Sequence, residues 1–180
     1  MPSRSRSSLT LAAALTIALA LHVASADTSS AVDLPTSMTN DEVGFSIAYP
    51  PSWGVTTYPG ANQVDFNDGS TFVVVDAFEL DALPTRELAE LRGLILEDLE
   101  FFIGDLDVSD LPDQVVAGLD AIGIEYTGTD GELQVRGVML LMTDERYAYV
   151  LNFEAPVASF ASNEPTFSAM TASFRVGLAD

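Results

Sequence analysis

Residues 122–153 constrain the fold more than any other part of the chain. Ile122, Ile124 and Tyr126 alternate with other side chains up to a turn at Asp130-Gly131. A long strand pattern then runs over residues 133–143, and Asp144-Glu145 turns the chain back into residues 146–153, where Tyr147, Tyr149, Leu151 and Phe153 share a face. A period of two sends successive side chains to opposite faces, and turns this short join strands only in antiparallel pairs. Three consecutive strands joined in this way form a meander, so an antiparallel sheet organises the second half of the chain.

The first half adds strands and one clear helix. Val43, Phe45, Ile47 and Tyr49 fall on one face of a strand stopped by Pro50-Pro51. A short extended piece passes through Val55 and Thr57. Val64 and Phe66 alternate with Gln63 and Asp65 up to Asn67-Asp68-Gly69, a hairpin turn signal. Residues 71–80 are apolar on both faces, with Phe72, Val74 and Phe78 on one and Val73, Val75 and Ala77 on the other, as in a central strand covered from both sides. Pro84 opens a helix expected over 85–103, with Leu88, Leu91, Ile95, Leu99 and Phe102 at helical spacing and Gly104 as its C-terminal cap. Leu94, Leu96 and Phe101 widen its apolar surface and are expected to be buried against the sheet and a neighbouring loop. A strand over 114–117 and a helix over 165–173, with Phe167 and Met170 facing in, complete the pattern before Phe174-Arg175-Val176.

The N-terminus reads as a leader. Arg4 and Arg6 precede an apolar run over 9–23, and Ala24-Ser25-Ala26 fits a small-x-small cleavage site. The run is short for a membrane span, which needs about 20 residues. The expected organisation is a signal peptide over 1–26, a flexible segment over 27–40 rich in Ser, Thr and Asp, and a single domain over 41–178. The mature protein is then secreted, periplasmic or on the cell surface, with no membrane span after cleavage, and is expected to be a monomer. The chain has no cysteine. Its stability therefore rests on the core without disulfides.

The same composition narrows the chemistry. His22, inside the expected leader, is the only histidine, and there is no lysine or cysteine. A mature domain without these groups lacks Ser-His-Asp and Cys-His nucleophiles, Schiff-base chemistry, and His or Cys ligation of zinc, copper or haem. No glycine-rich phosphate loop is present. Carboxylate chemistry remains, as paired-acid glycoside hydrolysis or oxygen ligation of a hard cation. Residues 27–180 hold five arginines against 27 acids, a formal charge of −22. Such a charge repels nucleic acid and anionic lipid and favours cations and basic partners.

Within that frame, Asp105, Asp107 and Asp110 are the candidate metal ligands, for calcium in particular, because they lie in the densest acidic stretch, 97–113. A solvated acidic rim is the alternative. Asp65-Phe66-Asn67-Asp68-Gly69 has the start of a calcium loop but lacks its downstream glutamate, so the turn reading wins. Trp53, with Tyr49 and Tyr58, could line an apolar groove for a partner, or Trp53 could plug the end of the sheet. Arg136 and Arg146 are expected to pair with carboxylates across the meander.

Three segments resemble the PsbP-like family of extrinsic photosystem proteins, related exported bacterial proteins and LpqN-type lipoproteins. Gly44-Phe45-Ser46-Ile47-Ala48-Tyr49-Pro50 followed by Ser52-Trp53 is similar to its opening strand and turn. Residues 147–156 are similar to its penultimate strand, and 167–175, ending Ser173-Phe174-Arg175, to its terminal helix and close. The resemblance implies an α+β fold, an antiparallel sheet flanked by helices on both faces in an α/β/α sandwich. It implies binding and assembly rather than catalysis, no cofactor, and no functional residue carried over by position. The leading expectation is an exported, non-catalytic binding or assembly-accessory domain with a protein partner. A divalent-cation-binding surface protein and a carboxylate-dependent hydrolase are the alternatives.

Overall fold

The structure, a computed structural model, describes residues 32–58 and 62–177. The expected signal peptide, 1–26, lies outside the described residues. Strands β1 (Thr36–Asn40) and β2 (Phe45–Tyr49) join the terminal β10 (Arg175–Val176) in a small antiparallel sheet of order β1-β2-β10. The large sheet holds β3 (Gly54–Thr57), β4 (Gln63–Asn67), β5 (Phe72–Glu79), β6 (Gly104–Val116), β7 (Leu119–Asp130), β8 (Leu133–Thr143) and β9 (Tyr147–Pro156), in the order β3-β4-β5-β9-β8-β7-β6. All its neighbours run antiparallel. Helix α1 (Leu88–Phe102) lies between β5 and β6, and α2 (Val157–Ser173) between β9 and β10.

The two-residue period of β8 and β9 divides their side chains between two apolar clusters. Leu140, Met142, Tyr149, Leu151 and Phe153 join Phe160, Phe167 and Met170 of α2 and Phe45 and Ile47 of β2. Met139, Leu141, Ala148 and Val150 join Leu91 and Leu99 of α1 and Ile103 beyond it. Phe153 stacks on Phe167 with ring centroids 4.7 Å apart and meets Phe160 at 5.2 Å.

The turns follow their side chains. Asp68 accepts hydrogen bonds from the Ser70 and Thr71 amides between β4 and β5, and Asp144 from the Arg146 and Tyr147 amides between β8 and β9. Between β6 and β7, Ala117 and Gly118 both have positive φ, 53° and 84°, the mirror-image hairpin turn that suits the strand twist. An alanine there carries a strain of about 1 kcal/mol.

Four elements differ from the sequence expectation. Residues 36–40, placed in the flexible segment, form β1, because Met38 packs on the core and Asn40 accepts from the Glu42 and Val43 amides in the turn to β2. Helix α1 begins at Leu88 and its C-cap is Ile103, whose buried side chain pulls the chain into β6 at Gly104. The acidic stretch after it is strand for its whole length, joining the expected 114–117 strand. Helix α2 starts at Val157, well before Pro165, which sits inside it. Packing of Phe160 against Phe153 and Arg136 holds the earlier turns despite the donor lost at the proline.

Candidate functional site

Helix α1 packs over β8 and β6. The other half of that sheet face is more open, and Phe72 and Phe78 of β5 are each 43% exposed on it. A cavity of about 240 Å³ lies between α1 and β5, β8 and β9. Val74, Phe78, Ile95, Leu99, Phe102 and Met139 supply its apolar walls, and Asp76, Asn152 and Asp98 its polar lining.

Asp76 is the unusual member. It alternates with Phe72, Val74 and Phe78, so the strand period carries a carboxyl onto an otherwise apolar row. It is half-buried, and among the described residues its side chain has neither a hydrogen bond nor an ion pair. Burial, and next the negative charge of Asp65, push its pKa up from 3.8 to about 6. Gln63 of β4 lies directly opposite Asp76, and Asp65 sits two residues along on the same face, opposite Val74. It is well held, accepting from the Tyr58 hydroxyl at 2.7 Å and from Gln63 Nε2 at 2.9 Å. A carboxyl in the position of Asp76 can meet a cation or release a proton near neutral pH.

A second polar group fixes the adjoining part of the face. Tyr126 of β7 lies across Gly137 of β8, where an added Cβ would come within 2.1 Å of the ring. Only a glycine allows that approach. The Tyr126 hydroxyl thereby reaches β9, donating to Glu154 Oε2 at 2.8 Å with Asn152 Oδ1 at 3.1 Å. Burial raises the Glu154 pKa, and the bond from Tyr126 opposes the rise.

Among the described residues each arginine is engaged elsewhere. Arg86 pairs with Asp81 and Arg92 with Asp110. Arg136 meets Glu125 through two bonds at 2.8 and 3.1 Å and lies over the Phe160 ring. Arg146 stacks on Tyr147, not on a carboxylate as expected, and Arg175 bonds the Ala172 and Phe174 carbonyls.

The end of α1 departs from the expected burial. Phe101 is 83% and Phe102 71% exposed, edge to face at 5.1 Å, and Leu94 is exposed as well. Ile103 takes the core position that the helical spacing assigned to Phe102. These rings and Asp76 form the candidate site.

The residues singled out from the sequence fall elsewhere. Tyr49 and Trp53 are half-buried against the α2-side cluster, Tyr49 tilted on Phe66 at 5.0 Å. Tyr58 lies beyond β3, tied to Asp65, so the three aromatics do not share the cavity described above. Asp105, Asp107 and Asp110 are exposed along β6, an edge strand paired with β7 alone. Asp110 alternates in step with Leu106 and Val108, which face α1, and bonds Arg92; Asp107 is out of step with them. Asp105 has a positive φ of 50° at a register shift. Among the described residues no group of three or more acidic side chains is placed to hold a metal ion. Charges, Pro112 and two register shifts along this strand also block pairing with another edge.

A larger cavity, about 510 Å³, lies between α2 and β6–β8, lined by Val115, Val116, Leu140, Phe160 and Phe167 with Glu125 and Glu164. Arg136 balances its carboxylates from within the chain, through the ion pair to Glu125 and its proximity to Glu164. The smaller cavity is therefore the candidate, because among the described residues no ion pair balances Asp76.

No protein-family profile matches the sequence, and no curated protein matches it. Solved structures share the fold. Cyanobacterial PsbP from Synechocystis superposes with a TM-score of 0.57 at 16% identity, over 79% of this chain and 92% of that one. LpqN, involved in cell envelope biogenesis of Mycobacterium tuberculosis, gives 0.56 at 9% identity, over 78% and 89%. The Ran-binding protein Mog1p of Saccharomyces cerevisiae gives 0.55 at 16% identity, over 78% and 94%. The fold is thus PsbP-like, as the sequence motifs implied, and it is α+β with two sheets and two helices.

Proposed function

We propose that this chain is an exported, non-catalytic binding or assembly-accessory domain that docks a protein partner on the sheet face beside α1. The observation that carries the reading is the unburied aromatic group at the cavity: Phe102 and Phe78 line it, Phe101 stands edge to face with Phe102, and all three leave apolar area in water. Clustered exposed aromatics beside a pocket are the usual anchors of protein interfaces. The alternate division of β8 and β9 side chains supports one helix to each face of the large sheet, with the α1 side and the α2 side as separate surfaces.

Binding is favoured over hydrolysis by the same site. Asp76 and Asp98 share the cavity, but its walls are largely apolar side chains that suit an apolar ligand surface better than a sugar, and residues 27–180 hold no histidine, lysine or cysteine to assist a carboxylate. Export rests on the leader pattern and accords with the cell-envelope role of LpqN. Among the described residues no helix is long and apolar enough to cross a membrane.

The test is a comparison of partners recovered from the exported fraction by the unaltered protein and by a Phe78→Ser/Phe102→Ser variant. The reading expects a specific partner to be lost while the thermal midpoint changes little. Retention of every partner by the variant refutes it.

A further inference from the structure

We infer that Asp76 anchors a subsite for one basic side chain of the docked partner, a lysine or arginine whose charged end meets the carboxylate while its methylene stem lies between Phe78 and Phe102. The inference rests on the docking face proposed above and adds the chemistry that this face selects. It begins from the missing counter-charge. The sequence has no lysine, and the arginines among the described residues are paired or stacked elsewhere. None of the described residues supplies the cation that would satisfy Asp76, and in the exported protein, cut after residue 26, it would come from another molecule.

The walls and the size choose what carries that cation. Phe78, Phe102, Ile95, Leu99 and Met139 suit an apolar stem and give a strongly hydrated small ion nothing to replace its water. The partly exposed rings of Phe78 and Phe102, both in the lining with Asp76, offer the stem an apolar surface to cover. The cavity of about 240 Å³ falls below the roughly 300–1,000 Å³ of pockets for whole drug-sized ligands. It takes one long side chain. Asp98 on α1 and Asp65 on β4 extend the negative potential around the entrance, and the net charge of the chain steers basic segments towards it. Near neutral pH, ionisation of Asp76 is costly without a partner, so an arriving cation gains more there than at an exposed acid.

The experiment uses two synthetic hexapeptides, acetyl-Gly-Phe-Lys-Leu-Phe-Gly-amide and the same peptide with norleucine in place of lysine. Each is titrated into isotopically labelled protein and followed by amide chemical shifts at pH 7.5 and about 0.15 M salt, where general charge attraction is screened beyond about 8 Å. The lysine peptide is expected to move amides of residues 74–78 and 95–102 and to bind about tenfold more tightly than the norleucine peptide. Asp76→Asn should abolish that preference and leave norleucine binding intact. Glu132→Gln, which removes the same charge from an exposed turn, should keep it. Equal affinities for the two peptides at this face, or a preference that survives Asp76→Asn, overturn the subsite and leave the docking face standing. Shifts confined to another surface with both peptides overturn the docking face as well.

Discussion

Replacing Asp76 by asparagine should stabilise the protein above about pH 6, by an amount that vanishes towards pH 4. The folded carboxyl holds its proton up to about pH 6, whereas the unfolded one releases it near 3.8. Between those values the folded state binds more protons than the unfolded state, so this group's contribution falls as pH rises. Below pH 3.8 the contribution is fully present; above pH 6 it is gone and the buried charge is carried at full cost. The raised pKa corresponds to at most about 3 kcal/mol, at about 1.4 kcal/mol per pH unit. Asp76 is only half-buried and water reaches it, so about 1–2 kcal/mol is the expected gain for the neutral, nearly isosteric amide. Urea unfolding of both proteins from pH 4 to 8, at constant ionic strength, supplies the difference curve. Subtraction removes the contributions that the two proteins share, so the difference reports Asp76 together with its coupling to Asp65. A flat difference curve, or a variant less stable at pH 7.5, would show that the carboxyl already has a partner and that the argument for an external cation is wrong.

Other consequences are as direct. Gly137→Ala should cost about 2–3 kcal/mol, because the new Cβ meets the Tyr126 ring; a change under about 0.5 kcal/mol in urea unfolding would mean that the ring does not lie there. Tyr126→Phe should lose about 1–2 kcal/mol by stranding Glu154, with the loss shrinking as Glu154 is protonated at low pH. Ala117→Asn should add about 0.5–1 kcal/mol by relieving the left-handed strain in the β6–β7 turn, read as a raised thermal midpoint. Added salt should raise the midpoint throughout, since 27 acids face five arginines in residues 27–180; midpoints that stay flat from low to high salt contradict that.

Much of the fold was legible because its signals are local. The meander from β7 to β9 was readable from alternation and from the Asp130-Gly131 and Asp144-Glu145 turns, and Asn67-Asp68-Gly69 did mark the β4–β5 hairpin. Helix α1 announced itself by the spacing of Leu91 and Leu99, both buried. Strand β1 was hidden because its polar sequence reads as solvent-exposed chain; its place depends on β2, which it pairs only in the folded state. Pro165 misled for a related reason, since a proline marks a helix start more often than an interior turn, and here tertiary packing of Phe160 outweighs it.

The candidate site was harder to see. Asp76 carried a signal, as the lone acid at an alternate position among Phe72, Val74 and Phe78. A pattern dominated by apolar residues conceals such an interruption, and its meaning depends on Asp65 and α1, brought near by folding. Phe102 keeps the helical spacing of a core residue, yet the helix ends on it and Ile103 supplies the buried side chain instead. Spacing alone does not report where the last turn stops. The acids of 97–113 drew attention by density, but a strand sends neighbours to opposite faces, and density along the sequence is not convergence in space.

The central claim, that the α1 side of the sheet is the docking face, is tested most directly by photo-crosslinking in cells that export the protein. A benzoylphenylalanine placed in turn at Phe102 and at Val115 beside the larger cavity samples two separate surfaces. Adducts to a protein partner concentrated at Phe102, and diminished when Asp76→Asn is combined with that probe, are the predicted result. Adducts formed at Val115 and absent at Phe102 would contradict it.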